Sequence, residues 1–271
     1  MLYIRSLLSN LVFYFFLIGS ILVAPFTFIL PRTVMFWMIK FQSIHALINL
    51  KYLVNLNVEF RGTENIPKFK KYLIASKHQS LAEAMFLNYI IDKPSIVAKR
   101  ELLYIPIVGL CFKKANFIYV NRTKGETPIE TLVRTSRASM KKDPRPLLIF
   151  PEGTRTPIGE KRRYKYGITA LYTGLNVPCL PVAVNAGYFW PRRKFLRYPG
   201  TMVIEFLKPI EPGLTGDEFS KLLEDTIENK SDELLLEAQN QSTEKLNWVQ
   251  IVDNFFFSNK NNYLIVYKNI N

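Results

Sequence analysis

The chain is poor in the side chains that hold metals, form disulfides or carry covalent catalysis. Two cysteines and two histidines occur in 271 residues. Cys111 and Cys179 lie far apart in apolar surroundings, which argues against a disulfide framework and fits a reducing compartment. Neither His45 nor His78 stands at zinc-site spacing from a cysteine, so we expect no protein-bound metal. The G-x-S-x-G turn of serine hydrolases is also missing, which argues against that class.

Acidic residues are scarce over most of the chain, and the formal net charge is +14. The excess of Lys and Arg lies in residues 1–210, whereas residues 211–271 contain more Asp and Glu than Lys and Arg. A basic body of this kind needs an anionic partner, which can be nucleic acid, an anionic membrane surface or a phosphorylated substrate. Composition alone does not choose among the three.

Charge is missing altogether from residues 11–30, LVFYFFLIGSILVAPFTFIL. This length is about what a helix needs to cross a bilayer, but Pro25 argues against a straight helix, so a kinked or half-inserted hairpin is an equal alternative. A buried core helix is a further alternative, although uniform apolarity is rare in soluble folds. Residues 34–56 are apolar with interspersed basic and polar positions, as in a helix along a membrane interface. We therefore predict membrane-anchoring helices over residues 1–57.

After residue 57 the sequence alternates between short apolar runs and helical stretches. The predicted strands are residues 72–75, 95–98, 117–120, 147–150, 179–184 and 202–206, and the predicted helices include 82–91 and 128–140. Such alternation is typical of an α/β fold, and we expect a mixed sheet covered by helices. We assign residues 58–233 to this α/β domain and leave residues 234–271 as a C-terminal tail without a role. A capping box at Thr215 and Glu218 predicts the start of a helix there.

The strongest chemical signal is KHQSLAE, residues 77–83, which follows a predicted strand directly. A neutral imidazole at such a turn can take a proton from an attacking hydroxyl if a second group fixes its tautomer and stabilises the imidazolium. Glu83, in the first turn of the next helix, is the candidate for that group beside His78. The alternative is structural, because Ser80 and Glu83 also match a capping box, which has no chemical role.

The second signal is FPEGTR, residues 150–155, after the apolar run PLLIF. Pro151 and Gly153 predict a turn, and a glycine lets the backbone approach a ligand closely. Arg155 offers the planar fork that suits a phosphate, and Glu152 can orient it. We therefore predict an anion site at this turn.

Other basic residues give weaker signals. Lys99 and Arg122 follow predicted strands, and side chains at strand ends converge on one edge of a sheet, but charges at strand ends are also common on plain surfaces. Basic residues mixed with aromatic ones occur at residues 161–166 and 190–197. They suit nucleic acid or, behind an apolar N-terminal segment, anionic lipid. Solvated loops are the simpler alternative.

Taken in this order, HQSLAE, KRELLYIPIVG, FPEGTR and CLPVAVN resemble the four sequence blocks of the glycerolipid acyltransferase family. The resemblance runs from about residue 58 to residue 227, and the N-terminal apolar segments are similar to the membrane-anchoring helices of that family. It implies direct acyl transfer from a thioester to the sn-2 hydroxyl of 1-acyl-sn-glycerol 3-phosphate, which gives phosphatidate without an acyl-enzyme.

The resemblance also implies roles for individual residues. His78 would be the general base and Glu83 would orient it. The implied phosphate-binding residues are Lys99, Glu152, Gly153, Thr154 and Arg155, with Arg122 as a further cation, and the implied acyl-donor residues are Leu180, Pro181 and Val182. No bound cofactor is expected, and acyl-CoA or acyl carrier protein would be the co-substrate. The expected partners are lysophosphatidate and an anionic membrane surface rather than nucleic acid, at the cytoplasmic face of a bacterial inner membrane.

Three positions depart from the family pattern. The family more often has Asp where this chain has Glu83, an aromatic residue at Ala82, and Asp at Asn121. Glutamate at the first of these also occurs among lipid A acyltransferases, which leaves glycerol 3-phosphate, another lysolipid or a lipid A-type acceptor as alternatives. FPEGTR favours the glycerolipid branch. A non-catalytic basic protein that binds membrane surfaces is the alternative from another class, and it predicts that His78→Ala changes nothing.

Overall fold

The fold is built on a seven-stranded mixed sheet. The computed structural model describes residues 1–119 and 127–257, with side chains up to residue 241. The strands are β1 Leu56–Arg61, β2 Leu73–Ser76, β3 Ser95–Ala98, β4 Ile118–Tyr119, β5 Leu147–Ile149, β6 Cys179–Val184 and β7 Gly200–Phe206. Their order is β1-β7-β6-β2-β5-β3-β4, and neighbouring strands run parallel except β6 and β7. The predicted mixed sheet covered by helices is confirmed.

Helices cover both faces of the sheet. They are α1 Leu2–Val23, α2 Arg32–Asn49, α3 Ala82–Ile90, α4 Val108–Lys114, α5 Pro128–Lys142, α6 Tyr166–Leu175, α7 Ala186–Phe189 and α8 Gly216–Phe257. Alternate residues of a strand point to opposite faces. Ile74 of β2 therefore packs with α1, α2 and α3, whereas Leu73 and Ala75 pack with α5, α6 and α8. All three side chains are fully buried.

The N-terminal helices form a hairpin. Helix α1 ends at Val23, and a 3-10 segment, Ala24–Phe28, carries Pro25 in its first turn, where a missing backbone N–H is tolerated. Helix α2 then returns and packs on α1. Within the described residues, one helical stretch, Leu2–Phe28, is long and apolar enough to cross a membrane, and 22% of its most apolar window is buried. The Pro25 break therefore gives a hairpin, and α1 is largely uncovered.

The C-terminal helix extends beyond the predicted domain boundary. The predicted capping box is present, because Glu218 N–H donates to Thr215 Oγ1 and Thr215 N–H donates to Glu218 Oε2. Helix α8 then runs through residues 233 and 234 without a break. Leu234 packs on Val203 of β7, and Asn185 Nδ2 donates to its carbonyl oxygen at 3.2 Å. Residues just after position 233 thus belong to the core of the fold.

Candidate active site

The chemical motifs meet where three adjacent parallel strands end. Strand β5 lies between β2 and β3 and is parallel to both. The His78 turn follows β2, the 150–156 turn follows β5, and Lys99 follows β3. The carboxyl ends of parallel strands share one edge of the sheet, which is where open α/β sheets bind ligands. The sheet topology therefore brings together motifs that lie more than 70 residues apart in sequence.

His78 and Glu83 form a hydrogen-bonded pair. His78 Nδ1–H donates to Glu83 Oε1 at 2.7 Å, and the Glu83 side chain is fully buried in the first turn of α3. The same oxygen accepts the backbone N–H groups of Gln79 and Ser80 at 2.8 Å each. Helix α3 begins at Ala82, the first residue of the predicted helix 82–91. Glu83 thus caps backbone amides and also holds His78 in the tautomer that leaves the Nε2 lone pair available for a proton.

Contacts on both sides fix the position of His78. Its ring stacks on Phe150, with ring centroids 4.0 Å apart, and its side chain remains 17% exposed. Its backbone N–H donates to Glu152 Oε2 at 2.8 Å, and its carbonyl oxygen accepts the N–H of Thr156 at 2.7 Å. The turn after β2 and the turn after β5 are therefore one hydrogen-bonded unit, with a partly exposed imidazole at its surface.

A buried ionic cluster lies beneath this unit. Lys77 Nζ lies 2.6 Å from Glu228 Oε1 and 2.9 Å from Glu152 Oε1, and all three side chains are almost completely buried. The hydroxyl of Tyr164 donates to Glu228 Oε1 at 3.0 Å. Burial raises the pKa of Glu152 and the neighbouring Lys77 opposes this shift. Burial and the negative charge of Glu228 raise the pKa of Tyr164, which keeps its hydroxyl a donor. The cluster ties both turns to helix α8.

Positive charge gathers around the turn after β5. Arg155 is half-buried, and its carbonyl oxygen accepts Arg192 Nη1–H at 3.1 Å. Burial and the nearby Arg192 lower the pKa of Arg155, while the Glu83 carboxylate opposes this effect. Lys165 extends over Gly153, because a Cβ atom on that glycine would lie 2.7 Å from Lys165 Nζ. Mutually repelling cations beside a histidine–carboxylate pair are suited to an anionic ligand.

Similarity to known proteins agrees with this geometry. Residues 57–185 match the family model described as Acyltransferase, and this range contains both turns. Over these residues the chain resembles the acyltransferase family. It is 38% identical over 154 residues to the 1-acyl-sn-glycerol-3-phosphate acyltransferase of Pseudomonas aeruginosa, covering 57% of this chain and 59% of that one. It is 30% identical over 190 residues to the enzyme of the same name from Saccharomyces cerevisiae. This match covers 68% of this chain and 62% of the yeast protein.

A solved acyltransferase structure has a similar fold. The 1-acyl-sn-glycerophosphate (LPA) acyltransferase from Thermotoga maritima superposes with a TM-score of 0.70 at 26% identity, over 86% of this chain and 98% of that chain. The sequence matches cover less of the relatives than this structural match does. The chain spans 59% of the length of the Pseudomonas protein and 62% of the length of the yeast protein. The shared region includes the part of the acyltransferase fold that carries both turns.

The structure brings several of the predicted site residues together. His78 and Glu83 are in contact, and Arg155 lies on the adjoining turn with half-buried Gly153 and Thr154. Lys99 is exposed at the end of β3, and within the described residues it has no ion pair. Two strand spacings, about 10 Å, separate β3 from β2, so Lys99 lies at the far side of the site. Arg122 lies outside the described residues.

Two of the predicted assignments are corrected by the structure. Glu152 does not face a phosphate, because its carboxylate is buried against Lys77 and accepts the His78 N–H. Leu180, Pro181 and Val182 lie in the interior strand β6 with all three side chains buried, so these side chains offer no exposed surface to an acyl donor. An apolar run of this type is typical of a strand covered on both faces. The contact of Val182 with the site is through its backbone, since its carbonyl oxygen accepts Lys77 N–H at 3.0 Å.

Sequence reasoning missed the buried pairing of Lys77 with Glu152 and Glu228 and the role of Arg192. A lysine directly after a buried apolar run was the one available signal for Lys77, because a charge there is buried unless the chain turns at once. Glu228 gave no signal, since 151 residues separate it from Lys77. Arg192 was predicted only as one charge in a basic surface stretch, and its contact with Arg155 depends on the tertiary fold.

Proposed function

We propose that the chain transfers a fatty acyl group from an acyl thioester to the sn-2 hydroxyl of 1-acyl-sn-glycerol 3-phosphate, and so forms phosphatidate. The observation that carries this proposal is the His78–Glu83 pair, with its 2.7 Å hydrogen bond, next to the cationic turn of Arg155. The names of the relatives from Pseudomonas and yeast support the choice of acceptor. The proposal requires a base, a phosphate site and no covalent intermediate.

The chemistry follows from the open nitrogen of His78. Nε2 takes the proton of the acceptor hydroxyl as its oxygen attacks the carbonyl carbon of the thioester. The carbon–sulfur bond of the tetrahedral intermediate then breaks, and the leaving thiolate receives the proton from the imidazolium. Glu83 stabilises that imidazolium and keeps the ring oriented. The products are the ester and the free thiol, and no bond to the protein forms at any step.

The cations around Arg155 suit the phosphate of the acceptor. A guanidinium binds phosphate through two parallel N–H···O bonds, and a bound anion would relieve the repulsion between Arg155 and Arg192. Lys165 lies over the same turn, and Lys99 approaches from the end of β3. We assign Arg155 the main phosphate contact and the other three cations to the rim of the site.

The proposal includes a membrane setting. The α1–α2 hairpin presents large exposed apolar side chains, among them Leu11, Phe15 and Leu22 of α1, which suits insertion into the bilayer that holds the acceptor. We place the site at the cytoplasmic face of a bacterial inner membrane, where acyl-CoA or acyl carrier protein would supply the acyl group. The basic body would attract either donor as well as the anionic membrane surface.

The test is phosphatidate formation by membranes that contain equal amounts of wild-type or His78→Ala protein, supplied with lysophosphatidate and an acyl thioester. We expect a loss of at least about 100-fold, the low end of what a general base contributes. His45→Ala is the matched control, because it removes the other histidine, which packs against Phe16 in the helical hairpin. Equal rates for wild type and His78→Ala would exclude the proposed role of the imidazole.

A panel of acceptors tests the substrate separately. Glycerol 3-phosphate, lysophosphatidylcholine and lysophosphatidate are offered to the same membranes with one acyl thioester. We expect lysophosphatidate to be preferred, since it combines a free phosphate monoester with an acyl chain. A faster reaction with glycerol 3-phosphate or lysophosphatidylcholine that still depends on His78 would keep the acyl transfer and overturn the assigned acceptor.

A further inference from the structure

A second cationic site lies between helix α1 and the loop of residues 190–198. Two polar residues of the otherwise apolar α1 dock on this loop. The backbone N–H of Arg197 donates to Ser6 Oγ at 3.0 Å, and Asn10 Nδ2 donates to the carbonyl oxygen of Phe195 at 2.8 Å. Both polar side chains are buried, as is Phe13 one turn further along the helix. The loop and α1 are therefore held in a defined arrangement.

Arg197 is the unusual member of this loop. It is only 5% exposed, whereas the neighbouring Lys194 is exposed. Its guanidinium lies over the Trp190 ring, 4.5 Å from the centroid, and burial lowers its pKa to about 10. Within the described part of the chain, no carboxylate pairs with it. A buried arginine is normally paired with a negatively charged group. Arg197 therefore lacks the anionic partner that its burial would lead one to expect.

Part of the guanidinium remains available for such a partner. Its described hydrogen bonds all come from Nη1, which donates to the carbonyl oxygens of three loop residues, namely Lys194, Phe195 and Leu196. Nε and Nη2 together carry three further N–H groups. Arg197 also lines a cavity of about 270 Å³, so these donors have space beside them for an acceptor.

The cavity combines positive charge with apolar walls. Its lining residues are Leu7, Asn10, Leu11, Tyr14, Lys194, Phe195 and Arg197. No acidic side chain is among them, and residues 1–58 of the chain contain neither Asp nor Glu. Leu7 and Leu11 belong to the helix that is apolar enough to cross a membrane, and both are largely exposed. The walls therefore suit an anion that is attached to a hydrocarbon chain.

We propose that this cavity binds an anionic glycerophospholipid, with its phosphate on Arg197 and Lys194 and an acyl chain along Leu7 and Leu11. The phosphate satisfies the guanidinium donors that lack an acceptor, and a charge-assisted hydrogen bond in a partly buried site is among the stronger polar contacts. The lining residues of this cavity do not include His78, Glu83 or Arg155 of the candidate active site. The proposal rests on the cavity alone and holds whether or not the chain is an acyltransferase for lysophosphatidate.

Trp190 provides a local readout of binding. The chain has three tryptophans, and Trp37→Phe with Trp248→Phe leaves Trp190 alone, under the Arg197 guanidinium. The full-length double variant in a neutral detergent is titrated with dihexanoylphosphatidylglycerol, dihexanoylphosphatidylcholine and inorganic phosphate while Trp190 emission is recorded. We expect a saturable change with phosphatidylglycerol at a Kd at least tenfold lower than for either other probe.

Single substitutions in that background locate the site. Arg197→Met is expected to raise the Kd for phosphatidylglycerol at least tenfold. Lys194→Met, at an exposed position that should fold normally, is expected to raise it at least threefold. Arg155→Met is the matched control, since it removes an arginine from the candidate active site and should leave the Kd within twofold.

Three results would overturn the proposal. The first is a Kd for phosphatidylglycerol that Lys194→Met and a folded Arg197→Met leave unchanged. The second is an Arg155→Met effect as large as that of Arg197→Met, which would place the lipid in the candidate active site. The third is saturation by inorganic phosphate at the same concentration as the lipid, which would assign the cavity to a free anion.

Discussion

Replacing Glu83 with Gln separates the two functions that this carboxylate has in the structure. Its Oε1 atom accepts two backbone N–H groups and also the Nδ1–H of His78. A Gln side chain has the same length and can still accept all three hydrogen bonds, and it is as suitable as Glu in a capping box. The substitution therefore removes the negative charge while it leaves the geometry intact.

The expected loss follows from the charge on His78 during the reaction. Two unit charges about 4 Å apart attract by about 4 kcal/mol at an effective dielectric constant of about 20. Arg155 lies close enough to Glu83 for that carboxylate to influence the pKa of Arg155. The positive charge of Arg155 therefore offsets part of the attraction between Glu83 and the imidazolium of His78. We therefore expect Glu83→Gln to cost about 2 to 4 kcal/mol of transition-state stabilisation, which is a loss of about 30-fold to 1000-fold in kcat/KM.

The assay is initial-rate phosphatidate synthesis, with thermal unfolding of each purified variant as the check on folding. Glu83 Oε2 has no hydrogen-bond partner within the described residues, so the amide nitrogen of Gln would be unsatisfied there and stability should fall by about 1 to 3 kcal/mol. Rates are compared well below the melting temperature. If Glu83→Gln keeps kcat/KM within about threefold of wild type, the carboxylate is only a helix cap and the electrostatic argument fails.

Two further predictions concern the parts of the fold that support the site. In a double-mutant cycle, the effects of Lys77→Met and Glu228→Met on the free energy of chemical unfolding should couple by at least about 1 kcal/mol. Either single change leaves a buried charge without one of its partners. Additive effects, within about 0.5 kcal/mol, would contradict this expectation. Gly153→Ala should cost about 1 to 2 kcal/mol, since its φ is +65°, and should also raise the acceptor KM by displacing Lys165. Gly159→Ala is the control, because Gly159 also has a positive φ, +78°, but has open space around it. This variant should lose a similar amount of stability and leave the acceptor KM unchanged.

The local architecture could be predicted from the sequence because short-range patterns determine it. Predicted strands at 95–98 and 179–184 have the same bounds as β3 and β6. The turns that carry His78 and Arg155 were also predicted, since each follows an abrupt change from apolar to polar residues. Strand β1 was missed because it is an edge strand with charged residues at Glu59 and Arg61, so its apolar signal is weak.

What could not be predicted depends on distant pairings. The burial of a lysine can be predicted only if its ion-pair partners are known. The partners of Lys77 lie on the turn after β5 and on α8, far from it in sequence. The apolar character of residues 180–182 was visible, but whether such a run contacts a substrate or fills an interior strand depends on the order of strands in the sheet. Glu152 was assigned by proximity to Arg155 in sequence, whereas its carboxylate is buried against Lys77 and accepts the His78 N–H.

The loop of residues 190–198 connects helix α1 to both turns of the candidate active site. Its carbonyl oxygen at Trp190 accepts the Ser80 hydroxyl beside the proposed base at 2.6 Å. Arg192 in the same loop binds the carbonyl oxygen of Arg155 on the cationic turn, and Arg197 is hydrogen-bonded to Ser6 of α1. A displacement of α1 would therefore move the carbonyl that holds the His78 turn and the guanidinium beside the phosphate site. Because packed interiors transmit such shifts rather than absorb them, the position of α1 and the geometry of the site are mechanically linked.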